Sequence, residues 1–211
     1  MKSFDDSYRT NGIKLIAGVD EAGRGPLAGP VVAASVIFHP DDFIEGVNDS
    51  KQLNESERDN LFDIIKSKAL AFSVSEISHS EIDEINILQA SLKAMKQSVN
   101  KMNIKPDIVL IDGNKIFNSE MKTRAIVKGD SKSFSIAAAS ILAKVTRDGI
   151  MHMLDEEYPE YNWKKNKGYP TQFHISTIKR IGVSPYHRKT FLKKILPESK
   201  ILQLDFSQVQ Q

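Results

Sequence analysis

The chain contains no cysteine, and no apolar run in it is long enough to span a membrane. The missing thiols exclude a disulfide framework, thiol catalysis and cysteine-ligated zinc, and they fit a reducing compartment. The first residues lack the apolar core of a secretory signal. We therefore expect a soluble, cytoplasmic protein whose 211 residues form one large domain or a domain with an appendage.

Charge is unevenly distributed along the chain, although the formal net charge is only +2. Residues 161–200 contain ten lysine or arginine residues and one acid, Glu198, which gives +9. Residues 1–160 contain 19 basic and 25 acidic residues, which gives −6. A basic block beside a carboxylate-bearing body is typical of an enzyme that processes a polyanion, although a solvated lysine-rich helical face would have the same composition.

The most informative stretch is residues 15–29, LIAGVDEAGRGPLAG. Its apolar beginning predicts a buried strand that carries two adjacent carboxylates, Asp20 and Glu21, to its end. Gly23 and Gly25 follow with an arginine between them. Glycine backbone can approach a ligand closely, and a guanidinium group suits a phosphate. The combination suggests a metal beside a phosphodiester.

Two other interpretations of this stretch remain open. Its glycine spacing up to Ala28 fits the dinucleotide-binding fingerprint, but that fingerprint must open a helix, and here Pro26 and Pro30 flank the run and a strand-like segment follows. Alternatively, the run is a glycine-rich hairpin connection whose acids face water, because turns collect Gly, Pro and Asp for conformational reasons.

Two further carboxylates follow predicted strands. Asp112 ends the apolar run 108–111, and Asp130 follows the β-like run 123–127. Alternating strands and helices predict an α/β sheet in which parallel strand ends meet at one edge, so all four acids can converge. Neighbouring side chains on a strand point to opposite faces. We therefore expect the first strand to break at Asp20 and Glu21, which would let both enter one pocket.

Four carboxylates in one pocket would repel one another unless cations neutralise them. Oxygen ligands, without cysteine or an H-E-x-x-H pair, favour Mg²⁺ or Mn²⁺ over zinc. Two such ions about 3.5–4 Å apart can activate a water molecule and stabilise the leaving oxygen of a phosphodiester. The alternative is that each acid merely caps a helix or faces solvent. This alternative explains the position of a single acid more readily than the positions of all four together.

Several helices are predicted together with their ends. A capping box at Asn54 and Glu57 begins a helix that continues to residue 68, and an apolar stripe over 85–102 indicates a second helix. Thr171 caps a further helix that stops at Gly182.

The run 134–145 is nearly all small or apolar, so we expect a buried helix there. It becomes polar towards residue 157, and we interpret Lys144, Arg147 and Asp148 as surface or helix-end charges without chemistry. Residues 1–12 are expected to be frayed.

Five motifs occur in order along the chain. They are DEAGRGPLAGPVVAA at 20–34, DSKQL at 49–53, IDG at 111–113, GDSKSFSIAAASILAKVTRD at 129–148 and GYPTQFH at 168–174. Together they resemble bacterial ribonuclease HII over about residues 14–194, with every acidic position matched. The resemblance implies a ribonuclease H-like α/β fold: a mixed sheet of about five strands flanked by helices, with a C-terminal helical basic appendage.

The resemblance also implies a division of the chain and an activity. Residues 1–160 would form the catalytic domain, 161–200 a basic helical region that completes the substrate site, and 201–211 a tail. Family members hydrolyse the RNA strand of RNA/DNA hybrids and nick on the 5′ side of single ribonucleotides embedded in DNA, leaving 3′-hydroxyl and 5′-phosphate ends. The implied role is ribonucleotide removal in DNA repair or replication. The implied catalytic acids and ligands for two Mg²⁺ or Mn²⁺ ions are Asp20, Glu21, Asp112 and Asp130.

The same resemblance implies how the substrate is recognised. Gly23, Arg24 and Gly25 are similar to the family's reader of the 2′-hydroxyl at an RNA–DNA junction, a group that backbone N–H and C=O can contact. The tyrosine that matches Tyr169 stacks near the following deoxyribose, although alone it would be read as a half-buried structural aromatic. Lys51 could meet a phosphate, although an ordinary exposed lysine is the simpler interpretation.

Other functions and partners remain open. A resolvase-like nuclease on the same scaffold would ignore the 2′-hydroxyl, and a non-catalytic nucleic-acid-binding module would use the acids structurally. His174, His187 and Arg188 are interpreted as structural or phosphate-facing. We expect a monomer that does not bind membranes. Gln203–Phe206 resembles the short motif that docks proteins on the bacterial sliding clamp, although four residues often match by chance.

Overall fold

The computed structural model describes residues 1–193 and 195–196 and has a mixed five-stranded sheet at its centre. The strands are β1 (Ile16–Ala22), β2 (Val31–Ile37), β3 (Ala71–Ile77), β4 (Ile108–Asp112) and β5 (Thr123–Ile126). The helices are α1 (Lys2–Asp6), α2 (Glu55–Lys68), α3 (His79–Lys101), α4 (Phe134–Glu157), α5 (Trp163–Asn166), α6 (Gln172–Ile181) and α7 (Lys189–Leu192). None of these helices is long and apolar enough to cross a membrane.

The strand order is β3-β2-β1-β4-β5, and the sheet combines both pairing modes. β1, β4 and β5 run parallel, whereas β2 pairs antiparallel with β1 and with β3. The carboxyl ends of the three parallel strands therefore meet at one edge. This confirms the predicted mixed sheet of about five strands.

Different helices cover the two faces of the sheet. Met95 on α3 packs in one apolar cluster with Val19 of β1, and Ala138 on α4 packs in another with Val36 of β2. The predicted apolar stripe over 85–102 and the predicted buried helix from 134 are thus confirmed, because each is the face that a helix presents to the sheet. The helix that contains the stripe begins earlier, at His79, and bends at Asn86, where φ is 66°.

α4 approaches β1 very closely at Gly18. A Cβ atom on Gly18 would lie 2.1 Å from the backbone carbonyl carbon of Ser135, a distance that no side chain can occupy. The missing side chain lets the first turn of α4 rest directly on the strand that carries Asp20. Packing at this glycine therefore sets the distance between the strand end and the segment that precedes α4.

The expectation that residues 1–12 are frayed is wrong. Residues 2–6 form α1, and Asp5 is 1% exposed. One carboxylate oxygen of Asp5 accepts hydrogen bonds from the backbone N–H of Ser135 at 2.9 Å and from its hydroxyl at 2.8 Å. α1 is therefore held on the beginning of α4, where an acidic side chain satisfies N–H groups that have no partner within the helix.

The helix ends predicted from local motifs are confirmed. Asn54 and Glu57 form the reciprocal capping box that begins α2, and Thr171 caps α6, which stops at Gly182. The C-terminal helices pack on the rest of the fold, since Trp163 and Leu192 share an apolar cluster with Leu27, Met151 and their neighbours. The tail 201–211, with Gln203–Phe206, lies outside the described residues.

Gly18→Ala is expected to lower the free energy of unfolding by about 3 kcal/mol, because the new methyl group forces β1 and α4 apart. Gly149→Ala is the matched control, since a methyl group added to this exposed glycine of α4 would meet no neighbouring atom within 4 Å. The control should raise stability by about 1 kcal/mol through helix propensity. Urea denaturation measures both changes, and equal effects would contradict the close packing at Gly18.

Candidate active site

Three aspartates from different elements meet at the edge where the parallel strands end. Asp20 lies on β1, Asp112 ends β4, and Asp130 lies in the short 3-10 turn Gly129–Ser131 that leads into α4. Each contributes a carboxylate oxygen, and the three oxygens all lie within 4.8 Å of one another. The parallel pairing of β4 with β1 and with β5 thus brings Asp20 together with acids that lie 92 and 110 residues later in the sequence.

Neighbouring groups fix the three side chains. Asp112 accepts a 2.6 Å hydrogen bond from the backbone N–H of Gly129, which ties β4 to the turn that carries Asp130. Asp20 accepts one from the backbone N–H of Glu21 at 2.7 Å. The Lys51 ammonium lies 2.9 Å from the Asp130 carboxylate, so one cation of the chain already contacts the cluster.

β1 does not break at its acid pair, which corrects the expectation from the sequence. Asp20 and Glu21 both pair with β2, opposite Ala34 and Ala33, so their side chains leave opposite faces of a continuous strand. Both nevertheless line one cleft of about 260 Å³, because they lie where the neighbouring strand β4 has ended. The pocket forms at the edge of the sheet and requires no break.

Glu21 lies beside the three-aspartate group rather than within it. One of its carboxylate oxygens accepts a hydrogen bond from Arg24 at 3.2 Å. The other oxygen is buried and has no hydrogen-bond partner among the described residues. Glu21 thus brings an unsatisfied oxygen to the same cleft.

Electrostatics in the cleft favour a bound cation. Burial raises the pKa of Asp20 well above its usual value, and the carboxylates of Glu21 and Asp112 raise it further. Burial also raises the pKa of Glu21, against the opposing effect of Arg24, and the pKa of Asp112. The donor set suits a hard divalent ion, since three carboxylate oxygens converge within 4.8 Å of one another and Mg²⁺ prefers oxygen ligands.

The Gly23–Gly25 loop lies against two buried arginines, and the first is Arg188. Its guanidinium group donates to the carbonyl oxygens of Gly23 at 2.7 Å, Arg24 at 3.2 Å, Gly29 at 2.9 Å and Pro30 at 3.1 Å. Burial lowers the pKa of Arg188 to about 9, so the group remains charged at neutral pH. One side chain thus holds both ends of the loop.

Arg147 is the second arginine, and it corrects the assignment of Lys144, Arg147 and Asp148 to the surface. Arg147 is buried and donates to the carbonyl oxygens of Ala28 and Pro30 and to that of Lys167. Asp148 is also buried and pairs with Lys144, which lines the cleft. α4 passes under the glycine loop before it reaches solvent, so its polar residues there face protein.

A signal for Arg147 was present in the sequence. Steps of four residues from Ala139 through Ala143 lead to Arg147, so the arginine lies on a face of α4 that is buried before it. Arg147 also explains why residue 23 is a glycine. A Cβ atom there would lie 2.1 Å from Nε of Arg147, and the φ of Gly23 is +100°. Arg188 offers no comparable local signal, because its partners lie more than 150 residues away.

Tyr169 stands at the mouth of the cleft beside the loop. Tyr169 is 43% exposed, and a Cβ atom on Gly25 would lie 3.4 Å from the edge of its ring. The cleft is lined by Tyr169 together with the glycine loop, Asp20, Asp112 and Lys51. All the residues predicted for metal and for substrate therefore line one opening except Asp130, which lies with Asp20 and Asp112 in the carboxylate cluster.

The comparisons with known proteins agree with this geometry. The family described as Ribonuclease HII matches residues 17–194. The chain belongs to the ribonuclease HII family. It is 53% identical to a ribonuclease HII of Clostridioides difficile over 193 residues, which are 92% of this chain and 76% of the relative.

Solved structures of ribonuclease HII-type proteins have the same fold. The crystal structure of ribonuclease H2 from Pyrococcus horikoshii OT3 superposes with a TM-score of 0.73 at 30% identity, over 90% of this chain and 99% of that one. An Archaeoglobus fulgidus RNase HII, solved in a PCNA complex, gives a TM-score of 0.68 at 25% identity, over 82% and 93% of the two chains. The ribonuclease H-like fold is therefore confirmed.

Divalent cations are expected to stabilise this ribonuclease HII-family protein, and the effect should depend on pH. The raised pKa values of Asp20, Glu21 and Asp112 mean that the metal-free folded state binds protons more tightly than the unfolded state. In EDTA, the contribution of these three carboxyl groups to stability should therefore be fully present below the ordinary carboxyl pKa and should be lost as pH rises through the folded-state values. At neutral pH, Mg²⁺ at 100 times its Kd should add about 2.7 kcal/mol.

Thermal unfolding with Asp112→Asn checks this interpretation. Removing one like charge should raise Tm in EDTA and reduce the increase that Mg²⁺ produces. Asp59→Asn, on the exposed surface of α2, is the control and should leave the Mg²⁺ effect unchanged. A Tm of Asp112→Asn that matches the wild type under both conditions would argue against a shared cation.

Proposed function

We propose that the chain is a metal-dependent endonuclease that hydrolyses the RNA strand of RNA/DNA hybrids and nicks on the 5′ side of single ribonucleotides in duplex DNA. The products would carry 3′-hydroxyl and 5′-phosphate ends. One observation carries the proposal: in a chain of the ribonuclease HII family, two aspartates of a three-aspartate cluster and a glycine loop line the same cleft. Ribonucleotide removal in DNA repair or replication is the corresponding role.

In this proposal the acids hold two Mg²⁺ or Mn²⁺ ions. Asp20, Asp112 and Asp130 would supply the shared ligands, and the unpartnered oxygen of Glu21 would supply another. Bound divalent ions would supply the charge that activates the attacking water and stabilises the leaving oxygen. The hydrogen bond from Gly129 to Asp112 would keep the ligand oxygens aligned during the reaction.

The glycine loop would distinguish ribose from deoxyribose through its backbone. Arg188 holds the carbonyl oxygens of Gly23 and Arg24, and a trans peptide points its N–H group away from its carbonyl. The N–H groups of Arg24 and Gly25 would then be directed away from Arg188 and available to a 2′-hydroxyl. Tyr169 would pack on the next sugar and disfavour a hydroxyl there.

Basic groups would position the nucleic acid backbone. Lys51, which lies at the cluster, would meet a phosphate once cations take its place beside Asp130. We also propose that residues 161–200 complete the substrate site attached to a catalytic domain of residues 1–160, since their described part packs on α4 and beside the glycine loop. The protein would act as a monomer in the cytoplasm.

A sliding clamp is the one protein partner that we propose to test. The Archaeoglobus fulgidus relative was solved in a complex with PCNA. In this chain, Gln203–Phe206 is the segment that would make an equivalent contact. Clamp pull-down by the intact chain, lost on deletion of residues 201–211, supports the contact, and no pull-down by the intact chain refutes it.

Incubation with a DNA duplex containing one ribonucleotide tests the main proposal. We expect nicking 5′ of the ribonucleotide with Mg²⁺ or Mn²⁺ and none with EDTA. Asp112→Asn should lower the rate by about a thousandfold or more while the protein stays folded, because about 4 kcal/mol of barrier lowering is lost. Asp59→Asn is the control. Nicking that ignores the ribonucleotide would favour a resolvase-like nuclease, and binding without nicking would favour a non-catalytic module.

Tyr169→Ala is expected to reduce discrimination between a single embedded ribonucleotide and a long hybrid by about tenfold, because the aromatic contact with the following sugar is lost. The measurement is the ratio of kcat/KM for the two substrates. Phe72→Ala, which truncates another exposed aromatic on β3, should leave the ratio unchanged. An unchanged ratio in folded Tyr169→Ala would exclude Tyr169 from junction recognition.

A further inference from the structure

A buried pair of histidines lies behind Tyr169, and the chemistry proposed above does not use it. His174 on α6 and His187 before α7 are each at most 1% exposed, and their Nε2 atoms lie 3.1 Å apart. Trp163 and Tyr161 pack around them. Two imidazole nitrogens at this distance form a hydrogen bond only if one of them carries a proton and the other does not. The direction of each hydrogen bond around the pair therefore follows from the tautomers of the two rings.

The hydrogen bonds around the pair define both tautomers. The backbone N–H of Ser184 donates to Nδ1 of His187 at 2.9 Å, so this nitrogen is an acceptor. A neutral ring then carries its proton on Nε2 and donates it to Nε2 of His174. The indole N–H of Trp163 also points at this His174 nitrogen at 3.0 Å, so the two donors share its single lone pair. His174 must therefore carry its own proton on Nδ1.

That remaining proton points at Tyr169. Nδ1 of His174 lies 3.0 Å from the carbonyl oxygen of Tyr169, which also accepts the N–H of Thr171 at 2.8 Å. The N–H of Tyr169 donates to the carbonyl oxygen of Asn166 at 2.9 Å. Both peptide groups around Tyr169 are thus fixed, and they determine the direction in which its ring leaves the backbone. Burial lowers the pKa of His174, and it lowers that of His187 to about 3, which agrees with two neutral rings.

The other end of the network is attached to the glycine loop. His187 pairs with Ala28 in an isolated antiparallel bridge, and the next residue, Arg188, holds the carbonyl oxygens of Gly23 and Arg24. The loop is therefore connected to the backbone of Tyr169 by the hydrogen bonds of Arg188, the covalent step from Arg188 to His187, and the hydrogen bonds of the two imidazoles. This path links the two groups proposed to recognise the sugars on either side of a junction.

We infer that His174 is a positioning residue for substrate discrimination: its Nδ1 proton holds Tyr169 in place beside the glycine loop, and His187 fixes the tautomer that makes this bond possible. The inference rests on the proposed function, because discrimination is the property that Tyr169 would supply. Neither histidine touches the substrate. Their effect is on which substrate is preferred rather than on the hydrolytic step.

Substitutions at His174 separate this role from general packing. His174→Leu removes the proton and should lower the ratio of kcat/KM for a single embedded ribonucleotide to that for a long hybrid by about tenfold, as far as Tyr169→Ala does. His174→Asn keeps an N–H at the position of Nδ1 and should largely restore the ratio. Combining His174→Leu with Tyr169→Ala should cause no further loss. Ser184→Ala, which alters the same buried network but keeps the backbone donor to His187, is the control and should leave the ratio unchanged.

The outcomes separate the inference from the proposed function. A wild-type protein that cleaves neither substrate would refute the proposed function and the inference with it. Equal cleavage of both substrates by the wild type would leave the proposed function intact and overturn the inference. Wild-type discrimination that persists in folded His174→Leu would overturn the inference alone. Should His174→Leu not fold, ¹⁵N NMR of the wild-type imidazoles decides: a proton on Nδ1 of His174 and on Nε2 of His187 supports the inference, and the opposite tautomers overturn it.

Discussion

The geometry of the candidate active site depends on hydrogen bonds from two buried guanidinium groups to the carbonyl oxygens of the glycine loop. A buried charge is costly unless its donors are satisfied, and Arg188 and Arg147 satisfy theirs with backbone carbonyls from residues 23–30 and from Lys167. The arginines and the loop stabilise each other. The loop carbonyl groups solvate the cations, and the Arg188 cation fixes the orientation of the Gly23 and Arg24 peptides, which lie between β1 and the Ala28–His187 bridge.

This arrangement explains why the loop is rich in glycine. At Gly23 the backbone has a positive φ and lies against the Arg147 side chain, so both conformation and space exclude a Cβ atom. Gly25 faces Tyr169 at ordinary contact distance and is constrained less severely. Gly23 thus makes room for a buried side chain, whereas Gly25 lies beside Tyr169 and faces the cleft.

Local patterns in the sequence predicted most of the elements but not the long-range polar contacts. The capping box at Asn54, the end of α6 at Gly182 and the buried run of α4 are all determined by residues within a few turns, and each is confirmed. The convergence of the acids was expected because parallel strand ends meet at one edge of a sheet, and three of the four predicted acids form the cluster. By contrast, Asp5 and Arg147 were misassigned because their partners lie 130 and up to 119 residues away, and a charged residue without a visible partner suggests a surface position.

The Lys51 ammonium is a counter-ion of the acidic cluster that the chain itself supplies, because it pairs with the Asp130 carboxylate. A divalent ion that binds the same oxygen must displace this tethered charge, so occupancy of the cluster and the position of the segment around residues 49–53 are thermodynamically linked. Any ligand that draws Lys51 away, a phosphate included, will by the same linkage tighten cation binding. Substrate and metal would therefore load cooperatively even if they never touched.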